Sequence, residues 1–156
     1  MDEGESMNKK HSDKDVIYKE IITGSYNPRR YSMKIIDGET PLVVLTSCYL
    51  LDFESEKTAS YNLNKEGIDK IKERIENARY LFNDEPLEEC DYFVLDGCKE
   101  EYFFRSGNKK AKIKKDNFSL IYSEMSKDTK AGEIMNIIDS IHEILKEYGI
   151  ALDEPA

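Results

Sequence analysis

Pro41-Leu-Val-Val-Leu-Thr-Ser-Cys-Tyr-Leu-Leu-Asp-Phe53 is the longest apolar run of the chain. Successive side chains of a strand point to opposite faces, and here both sets are largely apolar. The run therefore reads as the central strand of a sheet of which at least part is covered on both sides, the second cover being a helix, a second sheet layer or another subunit. It is about half the length of a membrane-spanning helix and carries Thr46, Ser47 and Cys48, so no membrane span is expected. Upstream, residues 16–26 are β-rich, Asn27-Pro28-Arg29-Arg30 reads as a turn, and residues 31–36 form the next strand. Asp37-Gly38, lengthened by Glu39, Thr40 and Pro41, leads into the apolar run. Downstream, Glu54-Ser55-Glu56 reads as a turn before a fourth strand at residues 58–63.

Asn64 is suited to cap a helix whose apolar stripe is Ile68, Ile71, Ile75, Ala78 and Phe82, with Leu63 and Ile68 as a hydrophobic staple. Asp84-Glu85-Pro86 should stop it near Asn83. A second β-rich region follows, with strands at residues 92–95, 101–105, 110–114 and 118–122 separated by Asp96-Gly97, Gly107-Asn108 and Asp116-Asn117. A closing helix begins near Asp128 or Thr129, buries Ile134, Ile137, Ile138, Ile141, Leu145 and Tyr148, and stops at Gly149. The expectation is an α+β fold: an antiparallel sheet of two four-stranded meanders, each followed by one helix, with the helices packed on the sheet.

The chain has 156 residues, the size of one domain. Leu, Ile, Val and Phe supply about 24% of it, above the roughly 20% below which charged chains stay disordered. Residues 1–14 are polar and read as a disordered tail in which either Met1 or Met7 is the start; the domain spans 15–152, and 153–156 form a short C-terminal tail. The N-terminus lacks the apolar stretch of a secretory signal. Of the three cysteines, Cys90 and Cys98 flank an expected strand that would hold them too far apart to bridge. Free thiols and a cytoplasmic location are the expectation.

Chemistry-bearing patterns are sparse. The glycines are too dispersed for a phosphate-binding loop. Only His11 and His142 exist, so neither a metal site nor a histidine-assisted nucleophile is expected, and His142 on the flank of the closing helix reads as a packing residue. Asp37, Asp52 and Asp96 fall at strand ends, where Asp37 and Asp96 are explained as turn residues before glycine. No cofactor is implied.

Two charged clusters remain. Asp84, Glu85, Glu88, Glu89 and Asp91 form an acidic loop that could dock a basic partner. Arg105, Lys109, Lys110, Lys112, Lys114 and Lys115 form a basic hairpin that either protects an edge strand from aggregation or contacts anions. Removing those six charges from the net −9 leaves −15, so the molecule is electrically polarised. Overall acidity disfavours nucleic acid. The sequence thus points to a non-catalytic cytoplasmic protein-binding domain, of which an acidic inhibitor or immunity-type protein on a basic partner is the concrete form. Nucleic-acid binding through 105–115 and a small enzyme using carboxylates and tyrosines are the rival readings; a homodimer is compatible with all three.

Overall fold

A computed structural model of the chain describes residues 15–24, 29–49, 52–90 and 97–152. The expected tails, the turn residues before Arg29, Asp91 and the expected strand at 92–95 lie outside the described residues. Strands β1 (Val16–Gly24), β2 (Arg29–Ile36), β3 (Leu42–Tyr49) and β4 (Asp52–Asn62) are followed by helix α1 (Lys65–Glu76). Strands β5 (Cys98–Ser106) and β6 (Lys109–Asp116) then lead to a short helix α2 (Phe118–Tyr122) and the closing helix α3 (Lys130–Glu147). All six strands pair antiparallel in the order β4-β3-β2-β1-β5-β6.

The α+β class holds, but the twin-meander arrangement does not. The second β-region contributes two described strands, because β5 returns to pair with β1 and carries only β6 beyond it. Phe118–Tyr122 is a helix where a strand was expected. As a strand it would put Phe118, Leu120 and Tyr122 on one face. The helical turn instead buries Phe118 and Tyr122 completely, with ring centroids 5.0 Å apart, and leaves Leu120 49% exposed. Asn117 starts it in the left-handed region at φ 59°, and its Oδ1 accepts a 2.8 Å hydrogen bond from Cys98 N–H. A Cβ on Gly97 would fall 1.5 Å from that oxygen, so glycine there makes room for the lock.

The run that decided the expected fold also sits elsewhere than at the centre. β3 is next to the edge, and β1 and β2 occupy the middle because β5 adds on the far side of β1. Glu54 to Glu56, expected as a turn, lies inside β4. Ser55 Oγ accepts from Tyr49 N–H at 2.8 Å and donates to Asp52 O at 2.5 Å, tying the strands together close to their connection.

Helix α1 starts as expected, with Asn64 Oδ1 accepting from Glu66 N–H at 2.8 Å. It stops at Glu76 rather than near Asn83, because the next turn is claimed from outside. Glu133 of α3 accepts from the N–H groups of Arg79, Tyr80 and Leu81 at 2.7, 2.7 and 2.9 Å, holding that backbone in a loop. The helices run antiparallel: Lys70 reaches Glu147 at 3.3 Å, and Arg74 reaches Asn136 at 2.5 Å. Thr129 caps α3, and its end is a Schellman stop in which Gly149 N–H donates to Lys146 O and Ile150 N–H to Leu145 O.

Ile134, Ile138, Ile141 and Leu145 of α3 and Ile68, Ile71 and Ile75 of α1 pack on Tyr18, Met33, Ile35, Val43, Leu45 and Phe104 of the sheet. Each such side chain contributes roughly 1.5–3 kcal/mol by leaving water. Among the described residues all helices lie on this one face, so a helix does not supply the expected second cover there. No helix among them is long and apolar enough to cross a membrane.

Candidate functional site

The uncovered face follows from the strand registers. Lys34 of β2 lies opposite Lys19 of β1, Lys19 opposite Phe103 of β5, and Phe103 opposite Lys112 of β6. The next row reads Thr46, Ser32, Ile21, Glu101 and Lys114 across the sheet from β3 to β6. A further pair, Arg105 and Lys110, flanks the first row on its other side. Arg30 and Lys99 lie opposite Thr23 on the same face. In a chain of net −9, the sheet face that no described element covers is predominantly basic, with Glu56, Glu101 and Asp116 among its acidic residues.

The basic residues converge on a depression of about 340 Å³ over β1, β2, β5 and β6, lined by Lys19, Lys34, Arg105, Lys110 and Lys112 around Ile21 and Phe103, with Glu101 as the one carboxylate of the lining. A second hollow of about 210 Å³ continues across Val44 and Thr46 toward Glu56. Lys19–Lys34 and Arg105–Lys110 are like charges directly opposite each other. Such pairing is unfavourable to the sheet. Among the described residues no carboxylate lies within ion-pair distance of these side chains. The Arg105 guanidinium carbon sits 5.5 Å from the Phe103 ring centroid, while its Nε is buried without a hydrogen-bond partner.

Four members of the expected anion-binding cluster, Arg105, Lys110, Lys112 and Lys114, share this face. Lys109 instead borders a separate hollow with Ala78, Arg79 and Phe82. Lys115 lies on the helix side opposite Glu100, its Nζ 5.8 Å from the Tyr122 ring centroid. Sequence reasoning missed Lys19, Arg30, Lys34 and Lys99. Period-two spacing put Lys19 with Ile21 and Lys34 with Ser32, but nothing local revealed that these strands are neighbours of the lysine-rich hairpin.

The acidic loop divides. Asp84, Glu85 and Glu89 are exposed, whereas the Glu88 carboxylate accepts from the N–H groups of Lys130 and Ala131 at 3.0 and 2.8 Å, at the start of α3. Burial works to raise the Glu88 pKa, but these backbone hydrogen bonds outweigh it and hold the group below its ordinary value. Asp91 lies outside the described residues.

Two further carboxylates are buried on the helix side. Glu20 accepts from the Tyr18 hydroxyl at 2.6 Å and lies 2.7 Å from His142 Nε2. Glu100 accepts from the Tyr102 hydroxyl at 2.5 Å and from Ser119 through both N–H and Oγ. Burial and the adjacent carboxylates push both tyrosine hydroxyls well above their usual range. Burial alone would lower the His142 pKa, but the Glu20 hydrogen bond and charge raise it overall. These groups satisfy one another between sheet and helices, which makes them a structural network. Cys48, Cys90 and Cys98 are free thiols. Among the described residues no group of His, Cys, Asp or Glu is arranged to hold a metal. No family model, curated protein or solved structure matches this chain.

Proposed function

We propose that the chain is a non-catalytic protein-binding domain that docks its partner on the uncovered face of the sheet. The observation that carries this reading is the concentration of basic side chains, five against the single carboxylate Glu101, around Ile21 and Phe103 on a face that no described element covers. Partner contact would relieve the like-charge pairs and remove the apolar centre from water. Free thiols accord with action in a reducing compartment such as the cytoplasm.

A second reading keeps the expected inhibitor or immunity-type role, with Asp84, Glu85 and Glu89 engaging a basic partner. Their exposure favours it. Quantitative affinity purification separates the two. Ile21→Asp with Val44→Asp should abolish recovery of a partner that Glu85→Gln with Glu89→Gln retains. The opposite pattern would move docking to the acidic loop and remove the sheet-face reading.

A further inference from the structure

We propose that the depression over β1, β2, β5 and β6 receives a short acidic segment of the partner protein, with its carboxylates against Lys19, Lys34, Arg105, Lys110 and Lys112. This rests on the sheet-face reading and names the chemistry of what docks there. The positive charges are concentrated beyond what the fold itself uses. Lys19 faces Lys34 and Arg105 faces Lys110 across adjacent strands, so the sheet is held together against repulsion at both places. Glu101, opposite Lys114, is the one carboxylate that lines the depression. Five basic side chains against one acidic leave a surplus of positive charge there.

Arg105 adds a second feature. Its guanidinium carbon sits 5.5 Å from the Phe103 ring centroid, so positive charge and aromatic surface are presented together in the depression. Phe103 lies between Lys19 and Lys112 in the strand register, and Ile21 lies in the adjacent row. The site thus fits a segment that combines acidic residues with an apolar or aromatic side chain.

Size favours a short segment over a long polyanion. Six strands at about 4.8 Å spacing make a face roughly 24 Å wide, which an extended peptide crosses in about seven residues. A longer nucleic-acid strand would run past this face onto an exterior that supplies the chain's net −9.

The test uses a fluorescent seven-residue Asp/Glu-rich peptide with one central Phe, and a single-stranded oligonucleotide of matched length, both titrated into the full chain. The peptide should bind saturably at about 0.1 M salt and be released by about 1 M, where screening reaches about 3 Å. Lys19→Gln with Lys34→Gln should weaken it at least about tenfold, the effect of losing two charge-assisted contacts. Lys99→Gln with Lys114→Gln should change it by less than about threefold, as expected of charges outside the depression. The Lys19/Lys34 variant should also melt at a higher temperature than the wild type, because a repulsive pair has been removed. Equal losses from both double variants, tighter binding of the oligonucleotide, no saturable peptide binding, or a lower melting temperature would each overturn the proposal. The underlying reading fails differently. A partner kept by Lys19→Gln with Lys34→Gln but lost by Ile21→Asp with Val44→Asp leaves the docking face standing without the acidic segment. A partner kept by both removes the face.

Discussion

Glu20 is a carboxylate drawn out of water, 3% exposed, with the Tyr18 hydroxyl and His142 Nε2 as its partners. Tyr102 of β5 lies opposite it in the sheet, and Asp139 of α3 also acts electrostatically on the imidazole. Because the His142 pKa is higher in the fold than in the unfolded chain, the pairing stabilises in full below about pH 6.5 and fades as pH rises through the folded value. His142→Gln should therefore cost about 0.5–1.5 kcal/mol near pH 6, less than a fully buried charged hydrogen bond because the imidazole is 38% exposed and screened by solvent, and less again near pH 9. Denaturant unfolding across that interval measures it; a pH-independent difference would mean that the imidazole does not act as a cation there. Gly132 imposes a steric limit instead. A Cβ at that position would lie 1.9 Å from the Ser126 carbonyl oxygen, which belongs to the backbone, so Gly132→Ala should cost about 1–3 kcal/mol. At Gly67 the added atom meets Leu63 and Tyr148 side chains at 3.0 and 3.2 Å, and the helix-propensity gain of roughly 1 kcal/mol offsets much of the crowding. The ordering of the two glycine variants in thermal unfolding checks this; equal effects would contradict it.

Among the elements, α2 shows how a local pattern can carry two readings. Phe118-Ser119-Leu120-Ile121-Tyr122 alternates well enough for a strand and places Phe118 and Tyr122 one helical turn apart. Ser119 decides between them through a distant partner, since its N–H and Oγ both bind the buried Glu100 carboxylate of β5. Leu120→Lys should change stability by less than about 0.5 kcal/mol, whereas Phe118→Ala should cost about 3–5 kcal/mol. A strand would make both costly, so comparable destabilisation in chemical denaturation would sink the helical assignment. The two long helices were legible because cap, stripe and stop agree locally at Asn64, Ile68 and Gly149. The early end of α1 was not, because Glu133 is far away in sequence. The same limit hid the candidate site: the lysines of β6 were visible as a cluster, but Lys19 and Lys34 join them only through the pairing of β5 with β1.

For the whole molecule, a basic face on a chain of net −9 makes the ionic strength of association informative. An acidic partner meets two opposing fields. At about 0.01 M salt, with a screening length of about 30 Å, it senses the net negative charge and is repelled before it reaches the face. Near 0.1 M, screening to about 10 Å removes that distant repulsion while leaving short-range attraction to Lys19, Lys34, Lys110 and Lys112. At about 1 M the attraction is screened as well. The association rate of an acidic partner should therefore pass through a maximum between these limits, and the Lys19→Gln with Lys34→Gln variant should flatten it. A basic partner docking on Asp84, Glu85 and Glu89 feels attraction at every distance, so its association rate should only fall as salt is added. Stopped-flow association from about 0.01 to 1 M salt distinguishes the two. A monotonic decrease would place the contact on the acidic surface and exclude the basic sheet face as the docking site.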